Sequence, residues 1–135
     1  MSGNKSAPLV SVIINCYNGD KYLNEAIDSV FAQTYQNWEI IFWDNCSTDK
    51  SAEIAKSYGE KVRYFYSYSN TSLGEARNEA LKKVKGKYVC FIDCDDIWSN
   101  TKKIELQVNL LEENPEFVLC FGNMNEISEN GEFFR

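Results

Sequence analysis

Three runs of consecutive apolar residues constrain the fold of this chain more than any other feature. They are rich in valine, isoleucine and aromatic residues, and they read LVSVII from Leu9, WEIIFW from Trp38 and KYVCFI from Lys87. Strands that are apolar on both faces are typical of the centre of a parallel sheet that helices cover on both sides. We therefore expect central parallel strands here, with further strands in VRYFYSY from Val62 and FVLCF from Phe117.

Segments with helical periodicity separate these runs. Apolar residues recur at steps of three and four between about Lys21 and Gln33, and a second helix is predicted after the capping residues STD at positions 47–49. A third, GEARNEALKKVKG, is bounded by Gly74 and Gly86, and a fourth, TKKIELQVNLLEEN, is stopped by Pro115. Alternating strands and helices predict an α/β fold, with a mostly parallel sheet and helices on both faces.

The length of 135 residues suits one domain with a substantial core, so we expect residues 1–135 to form a single domain. The last stretch, NMNEISENGEFFR, predicts a strand and a turn that open another hairpin, because NG is a strong turn signal. We therefore expect the domain to be truncated at its C-terminus.

Composition disfavours several classes of function. The 14 basic and 20 acidic residues give a net charge of −6, which disfavours nucleic acid or an anionic membrane as the partner. The chain has no histidine, which removes the commonest general base and most zinc chemistry. Five cysteines without CxxC spacing indicate reduced thiols and a cytoplasmic chain, and no apolar run is long enough to span a membrane.

A polar loop follows each of the first four predicted strands. These loops read NCYNGD, DNCSTD, SNTSLG and DCDDIW in chain order. Because ligands of open parallel sheets bind beyond the carboxyl ends of the strands, we expect the four loops to form one binding site. Turn formation and helix capping are the alternative explanation of polar loops, and we favour it for Ser47, Thr48, Asn70 and Asn100.

The fourth loop differs from the others because FIDCDDIW places Asp93, Asp95 and Asp96 within four positions. Three like charges repel one another, and a helix cap needs only one carboxylate. The D-x-D spacing puts Asp93 and Asp95 on the same side of an extended strand end. Carboxylate pairs of this kind suit Mg²⁺ or Mn²⁺, which take further ligands from water and substrate phosphates. The cluster therefore predicts a diphosphate site.

Three segments together resemble the GT-A fold of the family 2 inverting glycosyltransferases, a Rossmann-like fold. They are VSVIINCYNGDKYLNEAIDSVFAQTYQNWEIIFWDNCSTDKS, NTSLGEARNEAL and GKYVCFIDCDDIW, and the resemblance runs from about Pro8 to Phe121. It implies transfer of a sugar, with inversion, from a nucleotide diphospho-sugar to an acceptor hydroxyl. The implied donor is a UDP-sugar, the cofactor Mn²⁺ or Mg²⁺, and the acceptor a glycan or a lipid-linked molecule.

The resemblance also implies roles for residues at the strand ends. Asp96 and Trp98 would support the acidic loop rather than act in chemistry. The other roles are Asn15 and Tyr17 against the nucleobase, Asp44 and Asn45 at its polar edge, Arg77 on the pyrophosphate side, Asp93 near the ribose and the metal, and Asp95 on the metal.

The chain departs from the family pattern in two places that bear on the nucleotide. Asn45 stands where the family often has an acid, and NCYN stands where it often has PTYN. Asparagine offers both a donor and an acceptor, whereas aspartate offers only acceptors, so recognition of the base can differ. The family's general base is a carboxylate in the second half of the domain, and we expect it C-terminal to Arg135.

Other interpretations remain open from the sequence. The main alternative is a nucleotide- and metal-binding module without catalytic activity, because no general base can be named. A dinucleotide-dependent oxidoreductase would need G-x-G-x-x-G where NCYNGD stands, and a receiver-like domain would need a lysine near FVLCFGN. Peripheral attachment to the inner face of a membrane is open, as is self-association through an apolar surface that a shortened domain would expose.

Overall fold

The computed structural model describes residues 6–133, which form four strands and four helices in strict alternation. The strands are parallel and lie in the order β3-β2-β1-β4. This arrangement confirms the predicted α/β fold with a parallel sheet. The elements are β1 (Val10–Cys16), α1 (Asp20–Phe31), β2 (Trp38–Asp44), α2 (Ser51–Ser57), β3 (Val62–Tyr66), α3 (Leu73–Leu81), β4 (Tyr88–Phe91) and α4 (Lys103–Glu113).

In the described residues, three helices cover one face of the sheet and one helix covers the other. Alternate residues of β1, including Val12 and Ile14, belong to the main core, which also contains buried residues of α1, α2 and α4. Ile13 faces the other side, where the small side chains Ala76 and Ala80 of α3 form a second core. Within residues 6–133, α3 is therefore the one helix that packs on this second face, and its position determines one wall of the region beyond the strand ends.

A buried polar cluster joins the strands to the loop between α3 and β4. The Ser11 hydroxyl donates to the Glu39 carboxylate at 2.6 Å, and the Arg63 guanidinium donates to the other carboxylate oxygen at 3.0 Å. The backbone N–H of Lys85 also donates to Glu39 at 3.0 Å, and that of Gly86 donates to the Ser11 hydroxyl at 2.9 Å. These bonds satisfy polar groups that would otherwise be costly to bury.

The helix α3 ends earlier than the sequence predicts. It stops at Leu81 rather than near Gly86, so Lys82 and Lys83 follow the helix instead of forming its last turn. The Lys83 carbonyl accepts a hydrogen bond from Arg63 at 2.7 Å, and the next residues bind the polar cluster. Because the sheet takes these backbone groups, they are not available for a further helical turn.

The prediction of a strand at FVLCF is wrong. The prediction that α4 ends before Pro115 is confirmed. The helix ends at Glu113, in agreement with the restricted backbone before a proline. Residues 117–121 join no strand of the described sheet, and the side chains of Val118 and Phe121 are 96% and 89% exposed. An apolar segment becomes a strand only where a neighbouring strand pairs with its backbone, and composition cannot supply that neighbour.

The predicted C-terminal turn is present in the described residues. Ile127 and Phe133 form an antiparallel bridge, and Gly131 of the NG pair has a φ of +80°. Phe134 and Arg135, the remainder of the predicted hairpin, lie outside the described residues. Among residues 6–133, no helix combines the length and the apolar character needed to cross a membrane.

Candidate functional site

The carboxyl ends of β1, β2 and β3 lie level at one edge of the sheet. The register pairs Cys16 with Asp44 and Asp44 with Tyr66. On the other side of β1, the last paired residue of β4 is Phe91, opposite Ile13, so the acidic loop that follows runs past the end of β1. The structure therefore brings the polar loops to the same edge, where the sequence predicted a site.

A cleft of about 230 Å³ lies at this edge, and it contains three of the predicted nucleotide-binding residues. Tyr17 is half exposed. The side-chain nitrogen of Asn15 is buried and has no hydrogen-bond partner among the described residues, so it is a donor without an acceptor. The lining residues are Asn15, Cys16, Tyr17, Asn45, Thr71, Leu73 and Ala76.

The Asn45 side chain hydrogen-bonds the loop between β3 and α3 to the end of β2. Its side-chain nitrogen donates to the Thr71 carbonyl at 2.8 Å and to the Asn70 side chain at 3.0 Å. Its side-chain oxygen accepts from the backbone N–H and the hydroxyl of Thr71, at 3.2 and 3.0 Å. An aspartate could not make both sets of bonds, because it offers only acceptors. The asparagine at this position therefore shapes one wall of the cleft.

Asp44 is fully buried behind the cleft rather than among its lining residues. One carboxylate oxygen accepts from the backbone N–H of Ser47 at 2.7 Å, and the other accepts from the Tyr64 hydroxyl at 2.6 Å. Burial, together with this bond to Asp44, raises the pKa of Tyr64 above its ordinary value. Asp44 thus holds the start of the loop after β2.

The loops after β1 and β2 are also bound directly to each other. The side chain of Asn18 accepts from the backbone N–H of Thr48 at 2.8 Å, and the Ser47 hydroxyl accepts from the backbone N–H of Asn18 at 2.9 Å. Asp49 accepts from the first N–H of α1, at Asp20, and also from the N–H of Ser51. Ser47 and Thr48 therefore connect loops as well as forming turns.

The three carboxylates of the acidic loop form one cluster. Asp93, Asp95 and Asp96 are all exposed, and each offers an oxygen that lies within 4.8 Å of the other two. Partial burial and the charges of the other two aspartates raise the pKa of Asp96. A set of converging carboxylate oxygens with solvent access fits Mg²⁺ or Mn²⁺, both of which prefer oxygen ligands and retain water.

Arg77 connects the cleft to the acidic cluster. Its guanidinium lies 3.5 Å from a carboxylate oxygen of Asp93 and 5.6 Å from the centre of the Phe91 ring. The preceding residue, Ala76, lines the cleft. One helix, α3, therefore presents adjacent residues to the two halves of the site.

Two thiols lie between these halves, at Cys16 and Cys94. The neighbouring Cys94 side chain lowers the pKa of Cys16 to about 7, although burial acts in the opposite direction. Gly19 covers both sulfurs so closely that a Cβ atom at this position would lie 2.6 Å from the Cys94 Sγ and 3.0 Å from the Cys16 Sγ. From the sequence, these residues are predicted only to be reduced thiols.

Several residues of the site have no binding role that the sequence alone predicts. Thr71, Leu73 and Ala76 line the cleft from the loop and first turn of α3, and Asp96 joins the possible metal ligands. The capping pattern S-x-x-E, formed by Ser72 and Glu75, marks where α3 begins and could have located this wall. Asp96 was visible in the acidic cluster, but its orientation depends on the turn.

This architecture, with a cleft and an acidic turn beyond parallel strands, is that of the GT-A glycosyltransferases, and solved structures of the class are similar to it. The S. aureus protein TarS in complex with UDP-GlcNAc matches 78% of this chain and 32% of its own, with a TM-score of 0.74 and 31% identity. A mannosyltransferase of Pyrobaculum calidifontis, in complex with GDP-Man and Mn²⁺, has a TM-score of 0.73 at 23% identity, which shows the fold alone. The predicted GT-A fold is confirmed.

The chain belongs to glycosyl transferase family 2, whose model matches residues 11–135. Curated relatives agree with this family. An uncharacterized glycosyltransferase of Rickettsia typhi is 48% identical over 82% of this chain, and one of Haemophilus influenzae is 41% identical over 86%. A putative teichuronic acid biosynthesis glycosyltransferase of Bacillus subtilis is 38% identical over 78%. The matched regions are 34%, 47% and 43% of these three relatives, so the chain spans less than half of each.

Proposed function

We propose that residues 1–135 are the donor- and metal-binding portion of an inverting, metal-dependent glycosyltransferase. The reaction is transfer of a hexosyl or related glycosyl group from a nucleotide diphospho-sugar to a hydroxyl of a glycan or lipid-linked acceptor. The observation that carries the proposal is the arrangement on α3, where Ala76 lines the cleft while Arg77 contacts the acidic cluster at Asp93. A nucleoside in the cleft would thereby place its diphosphate beside the carboxylates.

The nucleobase is proposed to lie against Tyr17 and Asn15. A half-exposed aromatic ring offers a stacking surface. The buried Asn15 amide lacks a partner among the described residues, and an acceptor on the nucleoside would satisfy it. Asn45, which lines the cleft, is proposed to lie at the polar edge of the base, and Asp44, buried behind the cleft, is proposed to act by holding the start of the loop after β2. UDP is the proposed nucleotide, in keeping with the 31% identical TarS, which has been solved with UDP-GlcNAc.

The divalent cation is proposed to bind Asp93 and Asp95, with Asp96 in reach of the same position. When bound, Mn²⁺ or Mg²⁺ would stabilise the negative charge of the departing diphosphate. Arg77 binds the pyrophosphate from the side of α3, and its contact with Asp93 positions it there. We assign no residue of this chain as the general base that deprotonates the acceptor.

A nucleotide- and metal-binding module without turnover is the second candidate. It is favoured by the absence of an assigned general base among residues 6–133, where Glu126, Glu129 and Glu132 are all exposed in the C-terminal turn region. Release of sugar from UDP-sugars in the presence of a hydroxyl acceptor would select the enzyme, whereas binding without release would select the module.

The proposed location is the cytoplasm, with the inner face of a membrane as the site of a lipid-linked acceptor. Self-association is proposed as well, because the apolar side chains of Val118, Leu119, Phe121 and Met124 are each more than 75% exposed.

Calorimetric titration with UDP, in the presence and absence of Mn²⁺, tests the donor site. We expect Mn²⁺-dependent binding that Asp95→Asn weakens by about tenfold or more, because the amide removes a charged oxygen ligand. Glu60→Gln is the matched control, since this exposed acid precedes β3 at the opposite edge of the sheet. Parallel titrations with GDP and dTDP identify the nucleotide. Failure of all three to bind a chain with a folded near-ultraviolet dichroism spectrum would refute the proposal.

A further inference from the structure

The sulfurs of Cys16 and Cys94 lie close together beyond the last pair of the β1–β4 ladder. The last ladder pair between β1 and β4 joins Ile13 to Phe91, and the N–H of Ile92 continues it by donating to the Ile13 carbonyl at 3.1 Å. Cys16 is the last residue of β1, whereas Cys94 lies in the turn after β4, where the N–H of Asp96 donates to the Asp93 carbonyl at 3.0 Å.

Gly19 leaves room for the sulfurs of Cys16 and Cys94 to approach each other. A Cβ atom at Gly19 would lie 2.6 Å from the Cys94 Sγ and 3.0 Å from the Cys16 Sγ, so both sulfurs lie against a residue that has no side chain to separate them. Cys94 also packs on the main core cluster that contains Cys16. The other cysteines differ, because Cys90 precedes the acidic loop within β4 and Cys120 follows α4 in the exposed apolar segment.

Cys16 is a buried residue beside the cleft at the strand ends. Its residue surface is only 2% exposed, but it lines the cleft at the strand ends. A molecule of about the size of hydrogen peroxide can enter a cleft of about 230 Å³.

We propose that Cys16 and Cys94 are a peroxide-reactive dithiol that closes to a disulfide between the nucleotide cleft and the acidic loop. The Cys16 thiolate attacks hydrogen peroxide, which gives Cys16 sulfenic acid and hydroxide. The Cys94 sulfur then attacks the Cys16 sulfur, its proton and the departing hydroxide form water, and the sulfur–sulfur bond forms. Two thiols are oxidised by two electrons in total, and one peroxide is reduced to two waters. The lowered pKa of Cys16 supports its role as the attacking thiol.

The disulfide would bear on both halves of the site. Cys94 separates Asp93 from Asp95, and Cys16 lies between Asn15 and Tyr17. A bond between the two sulfurs fixes the acidic turn to the end of β1 and narrows the cleft. This consequence rests on the proposed function, whereas the formation of the disulfide does not.

Mass spectrometry of the peroxide-treated protein tests the proposal directly. After alkylation of the remaining thiols and digestion with trypsin, the expected product is a reducible cross-link between the peptides of residues 6–21 and 88–102. Cys94→Ser should abolish the cross-link and leave a sulfenic acid on Cys16 that dimedone traps. Cys120→Ser, which alters a thiol elsewhere in the chain, should retain it.

The absence of this cross-link from folded, peroxide-treated protein would overturn the proposal. Its persistence in Cys94→Ser would do the same, because the cross-link would then belong to Cys90, which lies in the same peptide. The rate of cross-linking can also be measured with UDP and Mn²⁺ present. We expect saturating UDP to slow it by about tenfold, since the cleft would be filled. If reduced protein binds no UDP, the proposed function fails while the cross-link result still decides the dithiol.

Discussion

Gly86 illustrates how a single residue can be fixed by the space around it. A Cβ atom at this position would lie 2.7 Å from the backbone nitrogen of Ser11 and 2.8 Å from the Leu9 carbonyl oxygen. We expect Gly86→Ala to lower the free energy of unfolding by about 1–3 kcal/mol, because the backbone atoms of Leu9 and Ser11 must move. Urea denaturation followed by tryptophan fluorescence measures the change.

Gly74→Ala is the matched control for this substitution. No atom lies within 4 Å of a Cβ at this position, and Gly74 is in α3. Alanine should therefore be neutral or stabilising by up to about 1 kcal/mol. Equal effects of the two substitutions would show that the close approach at Gly86 does not determine stability.

The residues of the site were predictable by type but not by partner. Polar side chains after parallel strands located Asn15, Tyr17 and Asn45 at the cleft, because the strand ends must meet at one edge. The bonds of Asn45 to Thr71 depend on the path of a loop 26 residues away, which no local pattern encodes. The approach of Cys94 to Cys16 likewise depends on the turn that follows β4.

At the level of elements, the N-terminus of α3 carries the clearest local signal. The Ser72 hydroxyl accepts from the backbone N–H of Glu75 at 3.3 Å, and the Glu75 carboxylate accepts from the backbone N–H of Ser72 at 3.1 Å. We expect Ser72→Ala to cost about 1 kcal/mol of unfolding free energy, since an N-terminal donor of the helix loses its acceptor. Chemical denaturation provides the measurement.

Ser69→Ala is the control for the cap, because Ser69 is an exposed serine of the same loop. It should leave the unfolding midpoint within experimental error. An equally small effect of Ser72→Ala would mean that the packing of Ala76 and Ala80, and not the cap, holds α3 in place.

Elements with strong periodicity or continuous apolar character were predicted correctly. The wrong predictions concern segments whose structure depends on contacts with distant parts of the chain. The strands β1, β2 and β4 form where the apolar runs lie. FVLCF has the same character, yet its residues remain exposed because no strand pairs with them in the described sheet. The early end of α3 has a similar cause, since Arg63 and Glu39 take the backbone groups of the following loop.

For the whole molecule, Glu39 makes stability depend on pH. Its carboxylate receives hydrogen bonds from β1, from β3 and from the loop before β4, so it joins most of the sheet. Burial alone would raise the pKa of Glu39, but the bonds from Ser11, Lys85 and Arg63 outweigh burial and hold the pKa below its ordinary value of 4.5. The ionised form is thus favoured by folding.

The stabilisation from Glu39 is therefore fully present above about pH 4.5, the unfolded value, and is lost as the pH falls through the lower folded value. We expect Glu39→Gln to reduce stability at pH 7 and to flatten the loss of stability between about pH 5 and pH 3. Denaturation curves across this range compare it with Glu60→Gln, which should keep the slope of the original protein. If the free energy of unfolding depended on pH with the same slope in the original protein, Glu39→Gln and Glu60→Gln, the role of Glu39 would be contradicted.

The hydrogen bonds between the loops after β1 and β2 hold unusual backbone conformations at the strand ends. Asn18 and Cys46 have φ angles of +49° and +72°, a conformation that isolated loops rarely keep. Their neighbours hold it through the contacts of Ser47 and Thr48 with Asn18. The conformational entropy of ordering this rim is thus lost when the chain folds, so a ligand that enters the cleft meets a surface that has already been organised.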